Sequence, residues 1–109
     1  MDHHMPQRLA FLALIGLAAC SPQVMADNVT DRAARSVVVA VMQNYMTAPQ
    51  AEIAADCVLQ NATIEERRAL ARDVGVMAGT QTVQNVVNIV SRPNTGACMR
   101  ARGVAPIGG

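Results

Sequence analysis

The first nineteen residues decide how much of this chain is left to fold. After Met5-Pro6-Gln7-Arg8, an apolar run extends from Leu9 to Ala19 without a charge or a strongly polar group. Its eleven residues fall well short of the ~20 that carry a helix across a bilayer, and they match the h-region of a secretory signal. Arg8 supplies the basic residue ahead of the run. The pattern is cleaner from Met5 than from Met1, because Asp2 adds an acid and His3 and His4 add nothing that an n-region uses. The expectation is a signal peptide over residues 1–19, with Met5 a candidate true start. Removing those nineteen of 109 residues leaves 90, enough for one small domain and not two.

The apolar run closes on Leu17-Ala18-Ala19-Cys20, which resembles the lipobox of bacterial lipoproteins: a leucine, two small residues and a cysteine. The resemblance is confined to the signal. It implies cleavage before Cys20, a thioether-linked diacylglycerol on that cysteine, acylation of the new amino group, and a membrane-held protein. Ser21, standing where Asp would favour retention at the inner membrane, implies outer-membrane sorting facing the periplasm. The alternative is cleavage after Val24-Met25-Ala26, which would release a soluble periplasmic or secreted protein. Apart from the covalent lipid on Cys20, no cofactor is expected.

Both schemes leave one cysteine pair, Cys57 and Cys98. In an oxidising compartment such a pair is expected as a disulfide, and a small domain with a modest core benefits from the staple. The spacing is nothing like the Cys-x-x-Cys that lowers a thiol pKa, so a redox-active dithiol is not expected.

What the mature chain lacks bounds its chemistry. Its last histidine and its only phenylalanine fall in the signal, it has no lysine or tryptophan, and Tyr45 is its one aromatic residue. The usual general base, the commonest transition-metal ligand and the Schiff-base amine are therefore missing together, as are stacking platforms for nucleic acid. No catalytic residue, metal site or nucleic-acid partner is expected. Glu52 and Asp56, four apart on a helix, are the nearest approach to paired carboxylates; without a third group they read as a solvated face.

The periodicity predicts an all-α fold, a small bundle of four to five short helices stapled by the disulfide. Residues 20–28 read as a lipidated tether, 29–103 as the helical domain and 104–109 as a flexible tail. Thr30 is expected to cap a helix reaching Met46, with Ala34, Val37, Val38, Val41, Met42 and Tyr45 at helical spacing; the β-branched run Val37–Val39 keeps a strand open there. A second helix is expected from Pro49 to Gln60, turning Cys57 inward. Thr63-Ile64-Glu65-Glu66 is a capping box for a third, ending near Gly75 with Leu70, Ala71 and Val74 inside. A fourth starts at Thr80 or Thr82, with Val83, Val86, Val87 and Val90 on its apolar side. Pro93 stops it, and Asn94-Thr95-Gly96 turns into a last short helix carrying Cys98, Arg100 and Arg102.

Charge is distributed unevenly. From Cys20 to Glu66 there are six acids against two arginines, and from Arg67 to the end six arginines against one acid. The simpler expectation is that the halves fold together and their charges interleave. The functional alternative is a basic surface that meets anionic headgroups or an acidic partner, with Arg100, Arg102, Arg68 and Arg72 as candidates because guanidinium binds phosphate bidentately. The chain thus reads as a non-catalytic envelope lipoprotein that contacts a membrane and an envelope protein. The alternative is a small helical carrier or sensor of an apolar ligand, distinguished by an apolar cavity of several hundred cubic ångströms.

Overall fold

The computed structural model describes residues 22–75 and 79–107. Among them are five helices and no strand: α1 (Pro22–Met42), α2 (Ala48–Asn61), α3 (Ile64–Ala71), α4 (Thr80–Val90) and α5 (Pro93–Ala101). The α1 helix packs against α2 and α3, and α2 in turn carries α4 and α5 on its other sides. The all-α bundle expected from the periodicity is the observed fold.

In α1, Ala34, Val37, Val38, Val41 and Met42 are buried, the i, i+3, i+4, i+7, i+8 stripe of a helix facing a core. Burial of this stripe overrides the strand preference of the valine run, since each fully buried aliphatic side chain contributes ~1.5–3 kcal/mol. The helix starts at Pro22, however, and not after Thr30. Proline presets the backbone angle of a first helical residue, and the helix takes up most of the expected tether. It also ends earlier than Met46. Met42 is followed by a turn in which the Tyr45 and Met46 amides donate to the Met42 carbonyl and the Asn44 side-chain amide donates to Val41 O at 3.2 Å. Tyr45 is thereby turned outward, 55% exposed.

The α2 helix opens on a capping box: the Gln50 amide donates to Thr47 Oγ1, and the Thr47 amide to Gln50 Oε1. Its buried residues are Ala51, Ala54, Ala55, Cys57 and Val58, small side chains that let α1 approach closely. The Thr63 capping box of α3 is present as expected, with the Glu66 amide 3.1 Å from Thr63 Oγ1 and the Thr63 amide 2.8 Å from Glu66 Oε1. Only Leu70 of this helix is fully enclosed. The chain then turns through Gly75, whose φ of 79° suits glycine. Val74, expected inside, is 48% exposed because it falls in that turn.

The buried side of α4 is Thr82, Val86, Ile89 and Val90, rotated from the expected valine stripe. Val87 is 40% exposed. Two contacts set the rotation: Ile89 fills the core, and the Thr82 hydroxyl donates to Asp73 Oδ2 at 2.7 Å. Pro93 both ends α4 and opens α5, so the expected turn at Asn94-Thr95-Gly96 is helical. Thr95 is fully buried and its hydroxyl has no hydrogen-bond partner among the described residues. Replacing it by the isosteric valine is expected to raise stability by ~1 kcal/mol, since a buried polar group left unpaired costs about that much; a chemical denaturation midpoint checks it.

After α5 the Gly103 amide donates to Arg100 O and the Val104 amide to Met99 O at 2.9 Å, with Gly103 at φ 79°. This is a Schellman ending, and the accompanying apolar contact is made by Val104. Val104 is buried and Ile107 packs on the core, so this part of the expected flexible tail is docked. The disulfide joins Cys57 on α2 to Cys98 on α5, with 5.7 Å between their Cα atoms. Among the described residues the buried core runs from Ala34 to Val104.

Candidate functional site

The two halves of opposite charge interleave, and they do so through named pairs. Arg35 on α1 donates to Glu52 Oε2 at 2.5 Å and to Asp56 Oδ1 at 2.6 Å. The second oxygen of Asp56 takes Arg102, beyond α5, at 3.0 Å. Glu52 and Asp56 are thus braced between arginines, which joins α1, α2 and the end of α5 and leaves no open carboxylate pair. Arg67 reaches Asp31 at 3.6 Å and donates to the Leu59 carbonyl.

The best-formed pair is Arg92 with Glu66. Arg92 donates to both carboxylate oxygens, at 2.9 and 2.6 Å, and to the Asn61 carbonyl at 2.7 Å. It closes the end of α2 and clamps the start of α3 in one gesture. The Arg92 guanidinium, aided by the Thr63 amide and opposed by partial burial, holds the Glu66 carboxyl below the usual carboxylate range. Because the folded pKa is depressed, this contribution is complete above the unfolded value of about 4.5 and is lost as pH falls through the folded value. Stability is expected to decline below pH ~4.5, and the decline is expected to be shallower in Glu66→Gln; urea midpoints across that range check it.

These pairs use four arginines. Among the described residues, Arg32, Arg68, Arg72 and Arg100 make no ion pair. Of the candidates for an anionic surface, Arg102 is therefore engaged with Asp56, and Arg100 sits on α5, against α2 and α4. Arg68 and Arg72 lie together on and just after α3. They rim an open groove of about 500 Å³ between the first half of α1 and α3, lined also by Val29, Thr30, Ala33, Ala71 and Val74. Val29 is 67% exposed and Met25, one turn earlier, is also exposed. A smaller concavity beside it is lined by Asp27, Thr30, Asp31, Ile64, Arg67 and Arg68, sharing Thr30 and Arg68 with the groove. Asp27 and Asp31 of α1 line this second concavity and not the groove.

Val29, Ala33 and Arg32 were not among the sequence candidates. Their signal was the spacing Met25, Val29, Ala33, which has meaning only once α1 is known to start before Thr30. Among the described residues, no group of three or more metal-ligating side chains comes together, and no helix is long and apolar enough to cross a membrane. Cys20, the expected lipidation site, lies outside the described residues. What the fold defines is a small all-α bundle with a disulfide and, among the described residues, an apolar groove with a basic rim. Comparison with protein-family models, with curated proteins and with solved structures returned no match to this chain.

Proposed function

We propose that this chain is a non-catalytic bacterial envelope lipoprotein, lipidated on Cys20, held at the periplasmic face of the outer membrane, and acting as a structural or protein-interaction module. The observation that carries the reading is Leu17-Ala18-Ala19-Cys20 directly after an eleven-residue apolar run headed by Arg8. The Cys57–Cys98 disulfide supports an oxidising compartment. Several acyl chains on one residue exceed the two-signal threshold for stable anchoring, at ~0.8 kcal/mol for each buried methylene. The interaction role draws on the surface, where an apolar groove with a basic rim is open to a partner. Metabolic labelling with a tagged palmitate tests the reading: label and membrane fractionation are expected in the native chain and absent in Cys20→Ala. An unlabelled native chain in the soluble fraction would overturn it.

A further inference from the structure

We infer that the α1–α3 groove face is the surface with which the body lies against an anionic phospholipid bilayer. The inference rests on the anchor reading only for the nearness of a membrane. Three observations place the contact here. Met25, Val29 and Ala33 follow one another at four-residue steps along the first half of α1 and continue across the groove into Ala71 and Val74. Met25, Val29 and Val74 are exposed, so the face is apolar and uncovered. Arg68 and Arg72, one turn apart, stand on its far rim, and Arg32, between Val29 and Ala33 in the chain, stands on α1. None of the three is drawn off by an acid among the described residues.

The acids beside this face do not line it. Asp27 and Asp31 line the adjoining concavity, which shares Thr30 and Arg68 with the groove and where Arg67 holds Asp31; Asp73, next to Arg72 in the chain, takes the Thr82 hydroxyl, and Glu65 stands a turn before Arg68. An apolar stripe bordered by arginines is the chemistry of an interfacial helix face: side chains enter the headgroup boundary while guanidinium groups take phosphate oxygens. The position along the chain agrees. From Pro22 to Val29 the helix rises ~10 Å, and one residue, Ser21, separates Cys20 from Pro22, so the face begins within ~18 Å of the acyl attachment along the chain. Bilayer and face are thus brought together by the anchor itself.

The test uses the chain from residue 20 onward, kept unlipidated by Cys20→Ser and with the Cys57–Cys98 disulfide formed, sedimented with vesicles of phosphatidylcholine alone or mixed with phosphatidylglycerol at low salt. Binding is expected to the mixed vesicles and not to the neutral ones. Each arginine near such a surface accounts for about 5-fold in apparent affinity, so Arg68→Gln with Arg72→Gln is expected to weaken binding about 25-fold. Arg100→Gln, on another side of the bundle, is expected to leave it unchanged, and Val29→Ser with Val74→Ser to weaken it at unchanged helix content. Absence of binding to the mixed vesicles, or binding indifferent to the Arg68/Arg72 pair, overturns the inference. So does self-association that Val29→Ser and Val74→Ser abolish without any vesicle binding, which assigns the face to a second copy. Lipid on Cys20 with no vesicle binding by the body removes this inference and leaves the anchor, whereas vesicle binding with Cys20 unmodified removes the anchor and leaves the face.

Discussion

Replacing Cys57 and Cys98 together by alanine is expected to lower stability by ~4 kcal/mol. The size follows from the 41-residue separation that the disulfide closes: cross-linking removes conformational freedom from the unfolded chain, by an amount that grows with the logarithm of the loop. For a body of this length, with a total stability of ~5–15 kcal/mol, that is a large fraction. The staple also holds the last helix of the bundle. The α5 helix is nine residues long, too short to be stable alone, and it rests on α2 and α4 through Thr95, Gly96 and Met99. Guanidinium unfolding with and without reductant checks the value. A loss below ~1 kcal/mol would show that Met99, Val104 and Ile107 hold α5 in place unaided.

Leu70→Ala is expected to cost ~3 kcal/mol and to loosen α3 as a unit. Leu70 is the one fully enclosed side chain of an eight-residue helix, so its removal leaves a cavity at that element's main apolar anchor, with only the small Ala71 packed beside it. The Glu66–Arg92 clamp secures the start of α3 with two charged hydrogen bonds, whereas among the described residues its end, where Arg68 and Arg72 stand, is tied to α4 by the single Thr82–Asp73 bond. The groove should therefore lose its far rim before the bundle unfolds. Denaturation midpoints give the energy, and limited proteolysis within residues 64–75 gives the locality. Leu70→Met, which keeps the volume, is expected to cost less than ~1.5 kcal/mol. Equal losses for the two substitutions would mean that α3 is held by polar contacts and not by Leu70.

The fold was legible in the sequence to the degree that its determinants are local. The Thr63–Glu66 capping box sits within four residues and was readable as written, and the α1 core stripe follows directly from helical spacing. The start of α1 was hidden because Pro22 signals a loop and a first helical position equally well. The rotation of α4 depends on Asp73, nine residues before Thr82 and across a turn, and periodicity alone does not contain it. The docking of Val104 depends on a glycine at positive φ closing α5, a C-terminal device whose apolar contact is tertiary.

The candidate site shows the same division. Arg68 and Arg72 were readable as a basic pair on one helical face. That Arg102 is neutralised by Asp56, 46 residues away, depends on the whole bundle, as does the pairing of Arg92 with Glu66. The apolar floor of the groove was illegible for a further reason: its α1 residues, Val29, Thr30 and Ala33, flank the position that reads as the helix cap, so they show no face until the helix is extended back to Pro22. The sequence thus supplied candidates for an anionic contact, and the fold removed Arg102, set Arg100 apart and added Arg32.

The most direct measurement is the intact mass of the chain recovered from the membrane fraction. The expected result is a protein beginning at Cys20, with its mass raised by a diacylglycerol and an amide-linked acyl chain, and loss of both in Cys20→Ala. A soluble chain beginning at Asp27 and carrying no lipid would contradict the proposal that this protein works while held at a membrane.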